Sequence, residues 1–284
     1  MKVAFVTDSG TGMSAGYWKE RGIYCLPLQI ECDGVSYDEG VTIDHDTVIR
    51  ELHNKKVMKT SLPKLGLIEE CFEQIKDEGY DTVFCVPICR GLSGALDAME
   101  MGASQVGLKY YGVDTYVTAV VEACCIQTAK DMWESGQYTM EQIIEKLNRI
   151  SESADTILIF EDLQHMVRGG RLTPAAALLA GLLKIRPVLH LDKSTSGRVD
   201  VMAKVRTMTR SQERVIDTII NKGVNKDYTF ILAHVDALEP AKEYAKRIEA
   251  AIEGAKVQII DLVSTVGVHT GLGCLALQVF NPNA

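Results

Sequence analysis

Residues 2–10 read KVAFVTDSG, in which the apolar run Val3 to Val6 passes directly into Thr7-Asp8-Ser9-Gly10. A short apolar run closed by small polar residues and glycine is the pattern of a buried strand entering a turn. The pattern returns at Thr82 to Val86 before Gly91-Leu92-Ser93-Gly94, and at Tyr110 to Val113 before Asp114-Thr115. It occurs a fourth time at Val257 to Leu262 before Ser264-Thr265, with Gly267, His269-Thr270-Gly271 and Gly273 beyond. In α/β proteins the carboxyl ends of parallel strands are where ligands bind. Repeated hydroxyls and glycines there predict one convergent pocket whose chemistry is hydrogen bonding to oxygens.

Working outward, the opening strand spans Lys2 to Val6, and further strands are expected at Ile23 to Ile30, Thr156 to Phe160, Val188 to Leu191 and Thr229 to Ala233. Apolar residues spaced by three and four predict helices at Asp46 to His53, Leu65 to Lys76, Ala95 to Val106 and Thr118 to Trp133. Thr139 with Gln142 forms a capping box for a helix running to Ile150, and later helices fall near 174 to 183, 207 to 222 and 239 to 253. This alternation predicts an α/β fold, with a mostly parallel sheet and flanking helices in an N-terminal domain and a second α/β domain after it. The polar stretch Ser151-Glu152-Ser153 places the boundary so that the domains are 1–153 and 154–284, with the ligand at the strand ends and the domain interface. No internal repeat or low-complexity tract is present.

Composition narrows the function. With 284 residues, 46% of them hydrophobic, the chain can bury a large core. Thirty Lys and Arg against 38 Asp and Glu give a net charge of -8, which argues against nucleic acid as a partner. The eight cysteines form no CxxC pair and make no metal-like pattern with the six histidines, so they read as buried thiols of a reducing cytoplasm. No h-region of a signal peptide follows Met1. The longest apolar run, Ala175 to Leu183, is shorter than the roughly 20 residues that span a bilayer, which leaves only transient membrane contact.

Five motifs carry chemistry. Gly10 to Ala15 fits G-x-G-x-x-A, with Glu31 about 20 residues on. The carboxylate of Asp8 would repel a pyrophosphate there, so the stretch is read as a turn with Ser14 capping the next helix. Gly91 to Ala95 resembles a nucleophile elbow, and Asp236 and His269 follow in the order of a serine hydrolase, although Ala95 replaces the second glycine. In the alternative, Ser93 and helix-start amides cradle an anionic oxygen, or Ser93 simply caps the helix. Thr60-Ser61-Leu62-Pro63 reads as a cap-and-turn, Pro63 holding Leu62 extended. Arg168-Gly169-Gly170-Arg171 suits a docking surface or phosphate contact, and the all-apolar run after Pro174 must be buried, by domain packing or as the lining of a hydrocarbon cavity. His269, between glycine turns, is placed to donate to a carboxylate or relay a proton.

In order and spacing, these motifs resemble the DegV family across essentially the whole chain. The carriers are Thr7-Asp8-Ser9, Thr60-Ser61-x-Pro63, Gly91-Leu92-Ser93-Gly94, Gly169-Gly170-Arg171, Arg186-Pro187-Val188, Lys204-Val205-Arg206 and His269-Thr270-Gly271-x-Gly273. The resemblance implies a cytoplasmic, non-catalytic carrier of a long-chain fatty acid, able to serve as the lipid-carrying subunit of a fatty acid kinase. The separate kinase subunit, of the dihydroxyacetone-kinase-like type, would supply ATP. Ser61 and Ser93 would then bond the carboxylate, with Thr60, Gly94 and His269 completing the polar network. Arg171 and Arg206 would face the kinase or the acyl phosphate. The fatty acid is the ligand, and no cofactor or metal is implied. The chain departs from the family's usual wording at Leu62, Ala95 and Leu272, where glutamine, threonine and proline are common. Several donors suit a buried carboxylate, and a tail of about sixteen methylenes at about 0.8 kcal/mol each would supply ample affinity.

Overall fold

The computed structural model describes residues 1–160, 163–178 and 185–284. The opening stretch forms β1 (Val3–Asp8), buried at every position. A 3-10 turn at Ser9–Thr11 follows, then α1 (Ala15–Glu20), capped by Ser14 Oγ accepting from Tyr17 N as its sequence position requires. The expected strand Ile23 to Ile30 is two strands. Pro27 has no N–H to give a ladder, so β2 (Ile23–Leu26) pairs with β1, while β3 (Gln29–Cys32) leaves for another sheet. There β3 lies between β4 (Val35–Asp38) and β5 (Met58–Ser61), all antiparallel, with α2 (His45–His53) inserted before β5. Thr60 and Ser61 are therefore strand residues, pairing with Ile30 and Gln29, rather than the cap of a turn.

Three units complete the first half: α3 (Leu65–Asp77) with β6 (Thr82–Cys85), α4 (Ala95–Val106) with β7 (Lys109–Gly112), and α5 (Val120–Glu134) with α6 (Met140–Ser153). Thr139 and Gln142 make the capping box of α6. The main sheet, β2-β1-β6-β7, is parallel throughout. Its faces follow the two-residue period of a strand. Ala4 and Val6 pack on Ile68 and Phe72 of α3 and Met99 of α4, while Val3 and Phe5 pack on the α5–α6 layer through Ile126, Ile143 and Leu147.

The second half comprises β8 (Asp155–Ile159), α7 (Gln164–Gly169), α8 (Pro174–Ala177), β9 (Arg186–Leu191), β10 (Asp200–Val205), α9 (Met208–Asn221), β11 (Thr229–His234), α10 (Leu238–Ala251), β12 (Val257–Asp261), α11 (Ser264–Thr270) and β13 (Leu275–Phe280). Its sheet, β10-β9-β8-β13-β11-β12, is antiparallel except for the β11–β12 pair. Ile157, Ile159, Leu275 and Leu277 face α9 and α10, and Leu158, Phe160, Leu189 and Ala276 face inward toward the first half. The expected buried helix at 174 to 183 is only partly within the described residues. Ala176 is buried there but Leu178 is 80% exposed. An unbroken apolar run carries no signal of which face packs, and among its described residues only Ala176 is buried.

The turn after β6 sits on the hairpin between β9 and β10 with no side chain between them. A Cβ on Gly91 would lie 2.1 Å from the Gly197 carbonyl carbon and 2.6 Å from Arg198 N. Behind this turn, Asp8 ties two strand ends together: one carboxylate oxygen accepts from Gly10 N at 2.8 Å and the other from Ile88 N at 3.1 Å. Glu122 of α5 faces it, accepting from Thr7 and Thr118 hydroxyls. Full burial of both acids pushes Asp8 up to about 7 and Glu122 well above its usual range, so the pair holds a proton.

Two outcomes follow from this packing. Gly91→Ala should lower the urea midpoint by the equivalent of about 3 kcal/mol, whereas Gly66→Ala, with nothing within 4 Å of its Cβ, should raise stability by about 0.5–1 kcal/mol. The carboxyl pair binds its proton more tightly folded than unfolded. Its contribution is therefore complete below the ordinary carboxylate range and declines as pH rises through about 7. Glu122→Gln, which keeps a neutral group against Asp8, should flatten the fall in stability between about pH 5 and 8, measured by denaturant titration at each pH.

Candidate functional site

An apolar-lined cavity lies between the strand-end turns of the first half and the inner face of the second sheet. From the first half, Leu28, Ile88 and Leu92 line it, and from the second Leu158, Leu191 and Ala276. Thr60, Ser61, Ser93, Arg171 and His269 supply polar groups to the same cavity. The structure thus converges residues more than 200 positions apart in the chain. Gly94 is the N-cap of α4 and Arg206 is an exposed residue just past β10; neither lines the cavity. Of the four strand-end turns, the second and fourth contribute to it through Ser93 and through Thr265, His269 and Thr270. The first does not line it, nor do Asp114 and Thr115 of the third. None of residues 174–178 reaches it.

The polar groups are held by local geometry. Ser93 N donates to Cys89 O, and Ser93 Oγ accepts from Ala95 N at 3.2 Å, leaving the hydroxyl proton for another acceptor. Arg171 donates through Nε to Leu92 O at 3.2 Å and through Nη1 to Gly169 O at 2.5 Å, fixing the guanidinium beside the Ser93 turn. His269 Nε2 lies 2.6 Å from Thr60 Oγ1. A Cβ on Gly169 would come within 2.2 Å of His269 Nδ1, so that glycine is required by close approach, while Gly170 adopts φ +70°. Burial, reinforced by Arg171 and His165, pushes the His269 imidazole down to about 4, so it is neutral at pH 7. Among the described lining residues there is no Asp or Glu, and Arg171 brings a positive charge. Such a site suits an anion with an apolar body.

Two features had no sequence signal beyond the Arg168-Gly169-Gly170-Arg171 motif. Gln278 of β13 is buried with its amide satisfied, donating to Thr118 O and Thr156 Oγ1 and accepting from Val121 N. A cleft beside the polar groups shares Thr60, Arg171 and His269 with the cavity and is rimmed by Lys56, Lys59 and Arg168. Single lysines and a lone glutamine in strands and loops look like ordinary surface residues until the fold groups them.

The serine hydrolase arrangement is not assembled. His269 takes Thr60 as its partner, and Asp236 accepts from His53 at 2.7 Å, reflecting its position in a separate turn before α10. The G-x-G-x-x-A stretch is a tight turn, as expected. A Cβ on Gly10 would already meet Asp8 Oδ1 at 2.7 Å and Glu122 Oε2 at 3.1 Å, so Gly10 is packed against two acids rather than open to a phosphate. Among the described residues no helix is long and apolar enough to cross a membrane.

Comparison with known proteins agrees with this architecture. Residues 2–281 match the family model described as "Uncharacterised protein, DegV family". A DegV domain-containing protein of Streptococcus pneumoniae is 27% identical, with 98% of each chain covered. In structure, the chain is similar to a fatty acid binding DegV family protein from Streptococcus agalactiae, with a TM-score of 0.88, 26% identity and 99% of both chains covered. It also shares its fold with DegV of Bacillus subtilis, at a TM-score of 0.84 and 24% identity over 99% of both chains. Family pattern and fold coincide over nearly the whole length, and the chain belongs to the DegV family.

Proposed function

We propose that this protein binds a long-chain fatty acid in the cytoplasm and presents it to a separate kinase. The observation that carries the reading is the pairing of an apolar-lined cavity with a cluster of hydroxyls and one arginine, free of carboxylates among its described lining residues. The Streptococcus agalactiae relative, named as fatty acid binding, shares the fold over its whole length. In this reading Ser61 and Ser93 donate to the fatty acid carboxylate. Thr60 and His269 hold the surrounding network, with Gly94 opening the helix behind it. A neutral His269 serves this role better than a cation, because its ring can pass a hydrogen bond between Thr60 and the ligand without a second buried charge. The tail lies along Leu28, Ile88, Leu158 and Leu191 and is stabilised by about 0.8 kcal/mol per buried methylene.

The kinase role rests on the basic cleft. Arg171, Lys56, Lys59 and Arg168 surround the approach to the polar groups, where a phosphoryl group bound for the carboxylate would need neutralising. Arg206, exposed on another part of the second half, would contact the kinase rather than the phosphate. The protein itself performs no chemistry in this scheme: the dihydroxyacetone-kinase-like subunit brings ATP, and the carrier supplies an oriented carboxylate.

Native mass spectrometry of the purified protein should show one acyl chain per molecule; protein that is lipid-free and ignores added palmitate or oleate overturns the proposal. Ser93→Ala should weaken fatty acid binding by about 1.5–3 kcal/mol, roughly 10- to 150-fold, through loss of a hydrogen bond to a charged acceptor. The near-ultraviolet circular dichroism should stay unchanged. Arg171→Ala should leave fatty acid loading within about tenfold of wild type while abolishing acyl phosphate formation with the kinase and ATP.

A further inference from the structure

On the face of the second sheet opposite the cavity, Asp155, His190 and Asp192 bring three ligand atoms within 4.8 Å of one another. The ladder puts them there. Thr156 pairs with Leu191 and Ile157 with His190, so one step further Asp155 stands opposite Asp192, and His190 shares their face two residues away. Two carboxylates directly across a ladder repel each other, and these are largely out of water, with side chains 5% and 13% exposed. Such a pair requires a cation.

Lys222, at the carboxyl end of α9, meets only part of that need. Its Nζ contacts Asp155 Oδ2 and lies 3.8 Å from Asp192 Oδ2. Asp192 Oδ1 is occupied by Ser194 and Thr195. What remains is Asp155 Oδ1 and His190 Nδ1, both buried and both without a hydrogen-bond partner. His190 Nδ1 is 3.4 Å from Asp192 Oδ2 and 4.0 Å from Asp155 Oδ1. These gaps are too long for good hydrogen bonds. They are close to the roughly 3.4 Å edge of a tetrahedron whose centre lies about 2.1 Å from each ligand.

We propose that Asp155, His190 and Asp192 form a binding site for a divalent cation of the zinc class, with a solvent water as the fourth ligand. One imidazole and two carboxylates are a donor set that Zn²⁺ accepts. The adjoining surface pocket, bounded by Glu152, Ser194 and Tyr228, opens onto Asp155 and Asp192 and gives an ion its entry path. The half-exposed Lys222 side chain swings out when the ion enters. Sequence spacing shows nothing of this site, because its ligands come from two strands joined only by the ladder.

The test is isothermal titration of the chelator-stripped full chain with ZnCl₂ at pH 7.5. The expected result is one Zn²⁺ per chain, at least about 100-fold weaker binding in His190→Ala through loss of a direct ligand, and roughly tenfold tighter binding in Lys222→Met through loss of the competing charge. Opposite effects of the two variants distinguish the site from adventitious binding to thiols, which neither residue touches. Zinc should also raise the melting temperature of Lys222→Met more than that of wild type. The proposal is overturned if wild type takes up no stoichiometric Zn²⁺, or if His190→Ala binds as wild type does. It is equally overturned if Lys222→Met gains no affinity.

Discussion

The contact of the Gly91 turn with the Gly197–Arg198 backbone sets the geometry of everything around the cavity. Two main chains approach there at a distance no side chain would permit, and this seats the Ser93 turn of the first half on a hairpin of the second. Arg171 reinforces the joint by donating to Leu92 O. Gly169 makes a second such approach against the His269 ring. With both joints closed, Thr60, Ser93, Arg171 and His269 face one space. The glycines of these motifs are thus explained by close packing at the junction between halves, and by a left-handed turn at Gly170.

Electrostatics follow from the same arrangement. The acids nearest the junction, Asp8, Glu122 and Glu39, are turned away from the cavity and committed to the protein's own donors: backbone amides of Gly10, Ile88 and Thr265, and hydroxyls of Thr7, Ser9 and Thr118. Burial raises all three above the usual carboxylate range. In front, Arg171 is cationic and His269 neutral. A chain with a net charge of -8 therefore presents a locally anion-tolerant site.

Much of the fold was legible because strand and helix periods are local. The parallel β1, β6 and β7 were readable as apolar runs before turns, α6 from its capping box, and α4 from its three-and-four spacing. Legibility failed where the partner decides. Ile23 to Ile30 reads as one apolar run, and only the missing N–H of Pro27 and the existence of a third sheet divide it. The strand β5 carries MKTS, whose polar residues resemble a turn because one edge of it faces solvent and the other faces β3. The central strand β13, buried at all six positions, lies after glycine-rich sequence that reads as loop.

Sequence alone determined the α/β class, the hydroxyl turns at strand ends and the family pattern, because each is written in neighbouring residues within a helix turn or a strand. Tertiary structure alone decided which turns share a cavity. Ser93 and His269 gained a common site and Asp114 did not; Asp236 went to His53, and Asp155 met Asp192. These outcomes depend on sheet order, ladder register and glycine-mediated contact between halves, which join residues dozens to hundreds of positions apart and leave no trace in any local period.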